Sequence, residues 1–289
     1  MGFNMNNYLA IIKETFPELN IQDFSVLGHG NLATACLVNK NIVFKITNTS
    51  EKAIHDTERE IYLLKLINHN LSFNVPKILY DGKINNGGWV FGESLLPGTT
   101  YSKELHASFD KDTQIDILRQ IGRIMHELHS IKVNDDKKLL FVGDYKQNIV
   151  MFNEYFSDEV KQYFSPADIE RINAVRERYE HLSTHYPVEL VLVHADMHFG
   201  NFMFDTNTKK ITGIIDFGAA HFAEPARDMH YYYGEDIKHI LEGYGETQDS
   251  YLPERQKFHS VTNFLENIGG YIQENLSPNS EIQKLLNIL

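Results

Sequence analysis

The chain has a single cysteine, Cys36, among its 289 residues. An internal disulfide and a zinc site built on several cysteines are therefore excluded, and Cys36 is interpreted as a small buried strand residue. No apolar run approaches the roughly 18 to 20 residues needed to cross a membrane. The first residues, MGFNMNNYLAIIKETF, also lack the basic and apolar regions of an export signal. We expect a cytoplasmic protein that does not engage a membrane.

Positive charge is scarce, with 27 Lys and Arg against 39 Asp and Glu and a formal net charge of −12. Because phosphate backbones are bound by clustered Lys and Arg, we expect no nucleic-acid partner. The acidic balance fits either a cationic small-molecule partner or solubility alone. The length and the 42% hydrophobic content allow one large domain or two lobes. The expected oligomeric state is a monomer.

Residues 192–220 read LVHADMHFGNFMFDTNTKKITGIIDFGAA and hold three polar side chains at fixed spacing between apolar, strand-like runs. These are Asp196, Asn201 and Asp216, in the pattern HxDxxxxN followed by DFG. In phosphoryl transfer an aspartate orients the attacking hydroxyl and accepts its proton, while an asparagine and a second aspartate hold magnesium. A DFG tripeptide alone can be an ordinary turn, but the joint occurrence indicates a kinase. His194 is interpreted as a core residue, and His198 stays open between a loop brace and a substrate or phosphate contact.

The segment FSVLGHGNLATACLVNKNIVFKI, from Phe24, predicts three strands, with Gly28 and Gly30 between the first two. Glycines there let the backbone approach a phosphate, although a plain hairpin turn explains them equally well. Lys45 lies within the third strand and points either to solvent or towards nucleotide phosphates.

A lysine that binds phosphates needs a carboxylate partner. The apolar spacing predicts a helix over residues 52–68, with Glu60 beside its buried stripe. We therefore expect Lys45 to pair with Glu60, with Glu58 as the competing candidate.

Residues 76–80 and 89–92 predict two further strands, separated by the turn-rich DGKINNGG. The following ESLLPG, Glu93 to Gly98, is interpreted as a connector between lobes. Its backbone could bind a purine edge through the Glu93 carbonyl and the Leu95 amide, although a simple loop would look the same.

These motifs together resemble the aminoglycoside phosphotransferase family, and the spacing of FDTNTKKITGIIDFG is most similar to its 2″ branch. The matching elements are GHGN, FKI, EREIYLLK, ESLLPG, RIMHELHSI, HADMHFGN, IIDFGAA and EPARD. The resemblance implies an α+β, bilobal, protein-kinase-like fold: a small antiparallel-sheet N-lobe over residues 1–95 and a larger, mainly helical C-lobe over 96–289. It also implies Asp196 as catalytic base, Asn201 and Asp216 as magnesium ligands, and Asp228 as a brace of the catalytic loop. Ala195 replaces a glycine common in this motif, with little effect unless the backbone there needs a positive φ.

Further along the chain, apolar spacing predicts helices over residues 112–131 and 158–182. After the DFG the chain is acidic, and Glu235 and Asp236 follow the run Tyr231 to Tyr233. Carboxylates and aromatic faces suit a polyamine-bearing sugar, while a solvated helix face is the alternative.

The sequence therefore predicts a magnesium-dependent transferase that moves the γ-phosphate of ATP or GTP to a hydroxyl of an aminoglycoside or similar aminated molecule. This would be an antibiotic-resistance kinase. The alternatives are a choline, macrolide, homoserine or other small-metabolite kinase, or a module that binds nucleotide without turnover. Because HRD, APE and an obvious activation segment are absent, a protein substrate is disfavoured.

Overall fold

The computed structural model describes residues 5–67, 71–85, 87–134, 139–247 and 249–289, with the backbone alone for residues 5 and 6. Within these ranges, no helix combines the length and the apolar character needed to span a bilayer.

The strands are rich in β-branched and aromatic residues, as pleated, half-buried segments usually are. In chain order they are β1 Phe24–His29, β2 Ala33–Val38, β3 Ile42–Thr47, β4 Ile78–Lys83, β5 Trp89–Ser94, β6 Thr99–Thr100, β7 Val191–Val193, β8 Phe202–Asp205, β9 Lys210–Ile214 and β10 His221–Ala223.

The helices dominate the part of the chain after β6. They are α1 Met5–Thr15, α2 Glu51–Ile67, α3 Lys103–Ala107, α4 Lys111–His129, α5 Tyr145–Tyr155, α6 Asp158–Lys161, α7 Pro166–His185, α8 Glu235–Tyr244, α9 Leu252–Gln273 and α10 Asn279–Ile288. Short 3₁₀ turns cover Phe199–Asn201, Phe217–Ala219 and Pro225–Met229.

The chain divides into two compact units, of which unit 1 comprises Met1–Leu105, Val133–Leu140 and Phe199–Ala220. Its main sheet is antiparallel, with five strands in the order β1-β2-β3-β5-β4. One face of this sheet packs on α1 around Phe16 and Phe44, and the buried Cys36 belongs to the same core. Since side chains alternate along a strand, Lys45 lies on the opposite face from Phe44. A second sheet joins β6, β8 and β9.

Unit 2 comprises His106–Lys132, Phe141–His198 and His221–Leu289. Its core is aromatic, and the ring of Phe258 stacks on Tyr179 with centroids 3.7 Å apart and on Phe152 at 5.5 Å. The short strands β7 and β10 pair antiparallel in the same unit. The unit carries the loop that follows β7, where the candidate catalytic aspartate lies.

Helices α4 and α8 approach each other closely at two glycines. A Cβ placed on Gly122 would lie 2.1 Å from the Ile240 carbonyl oxygen, and one on Gly243 would lie 2.1 Å from that of Arg119. Only residues without a side chain allow the two backbones this distance.

The structure confirms an antiparallel sheet in the N-terminal part and a mainly helical remainder. Several boundaries differ from the prediction. The helix predicted over 158–182 is broken between α6 and α7, because Ser165 caps α7 and Pro166 occupies its first turn. Strand β4 includes Asp81 to Lys83, which were predicted as a turn. Helix α2 begins at Glu51, and its predicted last residue, 68, lies outside the described residues.

The predicted lobe division at residues 95 and 96 stays a prediction. The compact units are discontinuous in sequence, since residues 199–220 belong with the N-terminal sheet.

Candidate active site

Lys45 in unit 1 is surrounded by carboxylates. Its Nζ lies 2.7 Å from Glu60 Oε1, 3.3 Å from Asp216 Oδ1 and 3.7 Å from Glu93 Oε1. The predicted pairing of Lys45 with Glu60 is therefore present. The competing candidate, Glu58, instead pairs with Lys83 at 3.3 Å.

Charge and burial oppose each other in this cluster. Burial acts to lower the pKa of Lys45, but the carboxylates of Glu60, Glu93 and Asp216 outweigh it, so the pKa lies well above its usual value. Burial raises the pKa of Glu93 to about 8, although Lys45 opposes the shift. Glu93 Oε2 is buried and has no hydrogen-bond partner. The lysine thus stays charged, while Oε2 of the buried Glu93 carboxyl lacks a hydrogen bond that would stabilise the ionised form.

Glu93 differs from its prediction. It lies inside β5, in register with Val43 on one side and Ile78 on the other, rather than in an open connector. Its side chain reaches the Lys45 cluster. An acid at the end of the apolar run WVFG was the sequence signal for this contact.

The predicted base contact of Leu95 is wrong in this structure. The Leu95 N–H donates to the Asn41 carbonyl at 2.9 Å, so it is already used within the sheet region. The Leu95 side chain is exposed.

The two glycines of GHGN have different surroundings. Gly28 lies within β1, not between strands as predicted, at a register irregularity next to Val26. A side chain added there would meet no atom within 4 Å, so a ligand can approach this backbone. Gly30 is in the turn, and its N–H donates to the Ala33 carbonyl at 2.8 Å. Gly28 therefore remains the better candidate for close approach of a phosphate.

Asn201 and Asp216, the predicted metal ligands, both lie in unit 1. Asn201 is buried at the end of a 3₁₀ turn, and its carbonyl accepts from the Ile215 N–H at 3.0 Å. Asp216 has a left-handed backbone, with φ 71° and ψ 63°. The next N–H, that of Phe217, donates to Glu60 Oε1 at 3.2 Å. Glu60 thus fixes both Lys45 and the turn that presents Asp216.

The oxygen donors of Asn201 and Asp216 suit magnesium, which takes one or two protein carboxylates together with phosphate and water oxygens. Among the described residues, no group of three or more His, Cys, Asp or Glu side chains could hold a metal ion.

In unit 2, Asp228 holds the loop that precedes Asp196. Its carboxylate accepts from the His194 N–H at 3.0 Å, from the Ala195 N–H at 2.6 Å and from His129 Nε2 at 2.9 Å. Burial acts to raise the pKa of Asp228, but the hydrogen bond and charge of His129 outweigh it, and the pKa lies below its usual value. The predicted bracing role of Asp228 is confirmed.

The loop residue Ala195 has φ 66°, in the left-handed region. The backbone here therefore does need the positive φ that glycine adopts freely. An alanine in this conformation carries a strain of roughly 1 to 2 kcal/mol. The three hydrogen bonds to Asp228 hold this conformation in place.

The carboxylate of Asp196 has neighbours within unit 2. The Tyr231 hydroxyl donates to Asp196 Oδ1 at 2.6 Å, and His198 Nε2 lies 3.6 Å from Oδ2. Burial and the nearby Asp196 raise the pKa of Tyr231, so its hydroxyl stays a donor. His194 is fully buried, as expected, and its Nδ1 accepts from the Asp196 N–H at 3.3 Å. The sequence did not indicate the Tyr231 contact, since nothing distinguishes one tyrosine of the run from the next.

Glu235 and Asp236 occupy the first turn of α8. Glu235 is exposed and pairs with Lys238 at 2.6 Å. Acids in a first turn are stabilised by the helix dipole, so a structural role explains both. Their role towards a substrate stays a prediction.

Comparison with known proteins identifies the family. A model of the phosphotransferase enzyme family matches residues 23–256, most of the chain. The chain belongs to this family. A curated relative of this phosphotransferase, the aminoglycoside 3′-phosphotransferase of Streptomyces ribosidificus, is 23% identical over 167 residues, or 57% of the chain. The match spans 59% of that relative, about three fifths of its length.

Solved structures share the phosphotransferase's fold. The GDP and kanamycin complex of APH(2″)-IIIa has a TM-score of 0.84 at 22% identity, covering 97% of each chain. The streptomycin and ATP complex of APH(2″)-IIa has a TM-score of 0.70 at 17% identity, covering 99% of this chain and 97% of that one. A macrolide 2′-phosphotransferase from Brachybacterium faecium has a TM-score of 0.67 at 16% identity, covering 98% of each chain. The predicted protein-kinase-like fold is confirmed, and the solved structures that share it include enzymes of the 2″ branch.

Proposed function

We propose that the chain is a magnesium-dependent phosphotransferase that moves the γ-phosphate of ATP or GTP to a hydroxyl of an aminoglycoside or a similarly aminated small molecule. The observation that carries this proposal is the charged Lys45, held by Glu60 and Asp216 in the manner that phosphoryl transfer requires. Relatives that act on aminoglycosides, and neighbours solved with GDP, ATP, kanamycin or streptomycin, support it.

Unit 1 contributes the groups that handle phosphate. Lys45 binds phosphate oxygens, and the backbone near Gly28 lets the phosphates approach. Asn201 and Asp216 would hold magnesium, which when bound neutralises the charge on the phosphates.

Unit 2 contributes the proton acceptor. Asp196 accepts a hydrogen bond from the acceptor hydroxyl and orients it for in-line attack. It takes the hydroxyl proton as the new P–O bond forms and the bond from the γ-phosphorus to the bridging oxygen breaks, which releases the nucleoside diphosphate. The Asp228 bonds to the loop keep this carboxylate at one place between turnovers.

Glu235 and Asp236 are the proposed contacts for acceptor amines, by charge-assisted hydrogen bonds. A macrolide acceptor is the second candidate, because a macrolide phosphotransferase shares the fold. A module without turnover is disfavoured, since a scaffold has no need of Lys45, Asp196, Asn201 and Asp216 together.

Asp196→Asn is the test of the reaction. We expect kcat to fall by roughly 10²- to 10⁴-fold, the usual contribution of a positioned base, while nucleotide affinity stays within about twofold of wild type. The measurement is nucleotide consumption and phosphorylated product over a panel of aminoglycosides, amino alcohols and macrolides.

A wild type that is no faster than Asp196→Asn with every acceptor of the panel would overturn the proposed reaction for those classes. Turnover with macrolides alone would support the proposed phosphoryl transfer but contradict the proposed aminoglycoside acceptor.

A further inference from the structure

Arg227 is the one arginine that has no acidic partner among the residues the structure describes. Every other arginine has a carboxylate oxygen within 4.0 Å of its guanidinium. Among the residues that the structure describes, Arg227 makes no side-chain hydrogen bond, ion pair or ring contact. This is unexpected in a chain where 39 acids face 27 Lys and Arg.

The two acids nearest in sequence are already occupied. Glu224 is buried and bonds Arg255 at 3.3 Å and His259 at 2.6 Å. Asp228 is fully buried on the bonds to His129 and the catalytic loop described above. Both carboxylates are therefore bonded to other residues, and neither forms an ion pair with Arg227.

The backbone at Arg227 is held on both sides. Its N–H donates to the Glu224 carbonyl at 3.0 Å, and its own carbonyl accepts from His230 Nδ1 at 2.6 Å. The half-buried side chain thus leaves a fixed turn, and its guanidinium needs no large rearrangement to meet a ligand.

Arg227 lines a cavity of about 90 Å³ within unit 2. The polar side chains around it include Gln147, Asn148, His221 and His259, and none of its described lining residues is an aspartate or glutamate. One N–H of Asn148 donates to the Tyr179 hydroxyl at 2.8 Å, which leaves its second N–H for a ligand. The lining thus offers one full positive charge and amide donors.

We propose that this cavity is a binding site for a single oxyanion, a phosphate or carboxylate group held by Arg227. A guanidinium presents paired N–H donors that match two oxygens of such a group. The volume is far below the roughly 300–1,000 Å³ of ordinary ligand pockets, so only the anionic group itself enters. The group comes either from a free ion or from the end of a larger molecule.

This site goes beyond the proposed function, and it needs no turnover to be tested. Calorimetric titration of the full chain, without nucleotide or magnesium, uses inorganic phosphate, acetate and glycerol 3-phosphate at an ionic strength kept constant with sodium chloride. We expect saturable binding of phosphate or acetate at one site per chain. Binding of glycerol 3-phosphate as well identifies the end of a larger molecule as an accepted source, and its absence identifies the free ion.

Arg227→Gln should weaken this binding at least tenfold. The matched control is Arg178→Gln, which removes a half-exposed arginine that pairs with Glu254 and should bind as wild type does. Arg227→Lys keeps the charge, loses the paired donors and should give an intermediate affinity if the Gln variant does not fold. A wild type without saturable binding, equal affinity in Arg227→Gln, or equal loss in both Gln variants would each overturn the proposal.

Discussion

At the level of single side chains, the hydrogen bond from Tyr231 to Asp196 has a measurable consequence. A hydrogen bond to a charged group contributes about 1.5–3 kcal/mol. In Tyr231→Phe we expect kcat to fall roughly tenfold, because the Asp196 carboxylate loses the donor that holds it in place. Nucleotide KM should stay unchanged, because Tyr231 belongs to unit 2 and handles no phosphate in our proposal.

The neighbouring Tyr233→Phe is the control for this prediction. Its ring packs on Phe264 in a similar aromatic setting. An equal loss of kcat in both variants would indicate a purely structural role of Tyr231, and that outcome would contradict the assignment.

Glu93 gives a prediction about stability and pH. Its folded pKa of about 8 lies above the usual value, so the folded chain keeps a proton there that the unfolded chain has released. Stability is therefore lost as the pH rises from about 4.5 towards 8. Glu93→Gln cannot ionise and should lose less stability over this window, by on the order of 2 kcal/mol. Urea unfolding at several pH values measures it, and parallel curves for the two proteins would refute the idea.

At the level of secondary-structure elements, the crossing of α4 and α8 depends on its glycines. A methyl group at residue 122 would lie 2.1 Å from a backbone oxygen, well inside van der Waals contact, so the helices must separate. We expect Gly122→Ala to destabilise the protein by about 3 kcal/mol, the upper range for overpacking.

Gly270→Ala in α9 is the matched helix control, because an added Cβ there meets nothing within 4 Å. It should stabilise the protein by about 0.5–1 kcal/mol through helix propensity. Thermal unfolding of both variants tests the contrast, and a similar effect of the two changes would show that the close crossing is not required.

The sequence indicated those elements that carry their own local signal. Strands β1 to β3 and helices α2 and α4 followed from alternation and 3.6-residue spacing. The break before α7 also had a signal, a serine cap followed by Pro166, which apolar spacing across the break obscured. Strands β6 and β10 could not be predicted, because two or three residues become a strand only through a distant partner.

The same distinction applies to the candidate site. Lys45 and Glu60 were predicted because the periodicity of a strand or a helix determines on which face of that element each side chain lies. The contacts of Glu93 and Tyr231 join residues from separate elements, and a single sequence contains no direct measure of that proximity. The prediction for Leu95 failed for a related reason, since the hydrogen bond from its N–H to the Asn41 carbonyl is set by the sheet.

At the level of the whole molecule, the net charge of −12 predicts how ligands respond to salt. Exposed charges are screened over about 10 Å at 0.1 M salt, so attraction of a polycation weakens as salt is added. Under the proposed function, we expect the affinity for kanamycin to fall roughly tenfold between 50 and 300 mM sodium chloride. A macrolide with one amine should lose much less. Titration calorimetry gives both values, and equal losses would exclude a long-range contribution.

The discontinuity of unit 1 has a consequence during protein synthesis. Its first segment ends at Leu105, but its last segment, Phe199–Ala220, emerges 94 to 115 residues later. At 5–20 residues per second, this delay is roughly 5 to 23 s. Throughout that time Tyr101 lacks Phe199 and Phe204, the rings that pack against it at 5.1 and 4.7 Å. The nascent chain therefore presents apolar surface and an unpaired β6 on the ribosome, where a chaperone can bind them.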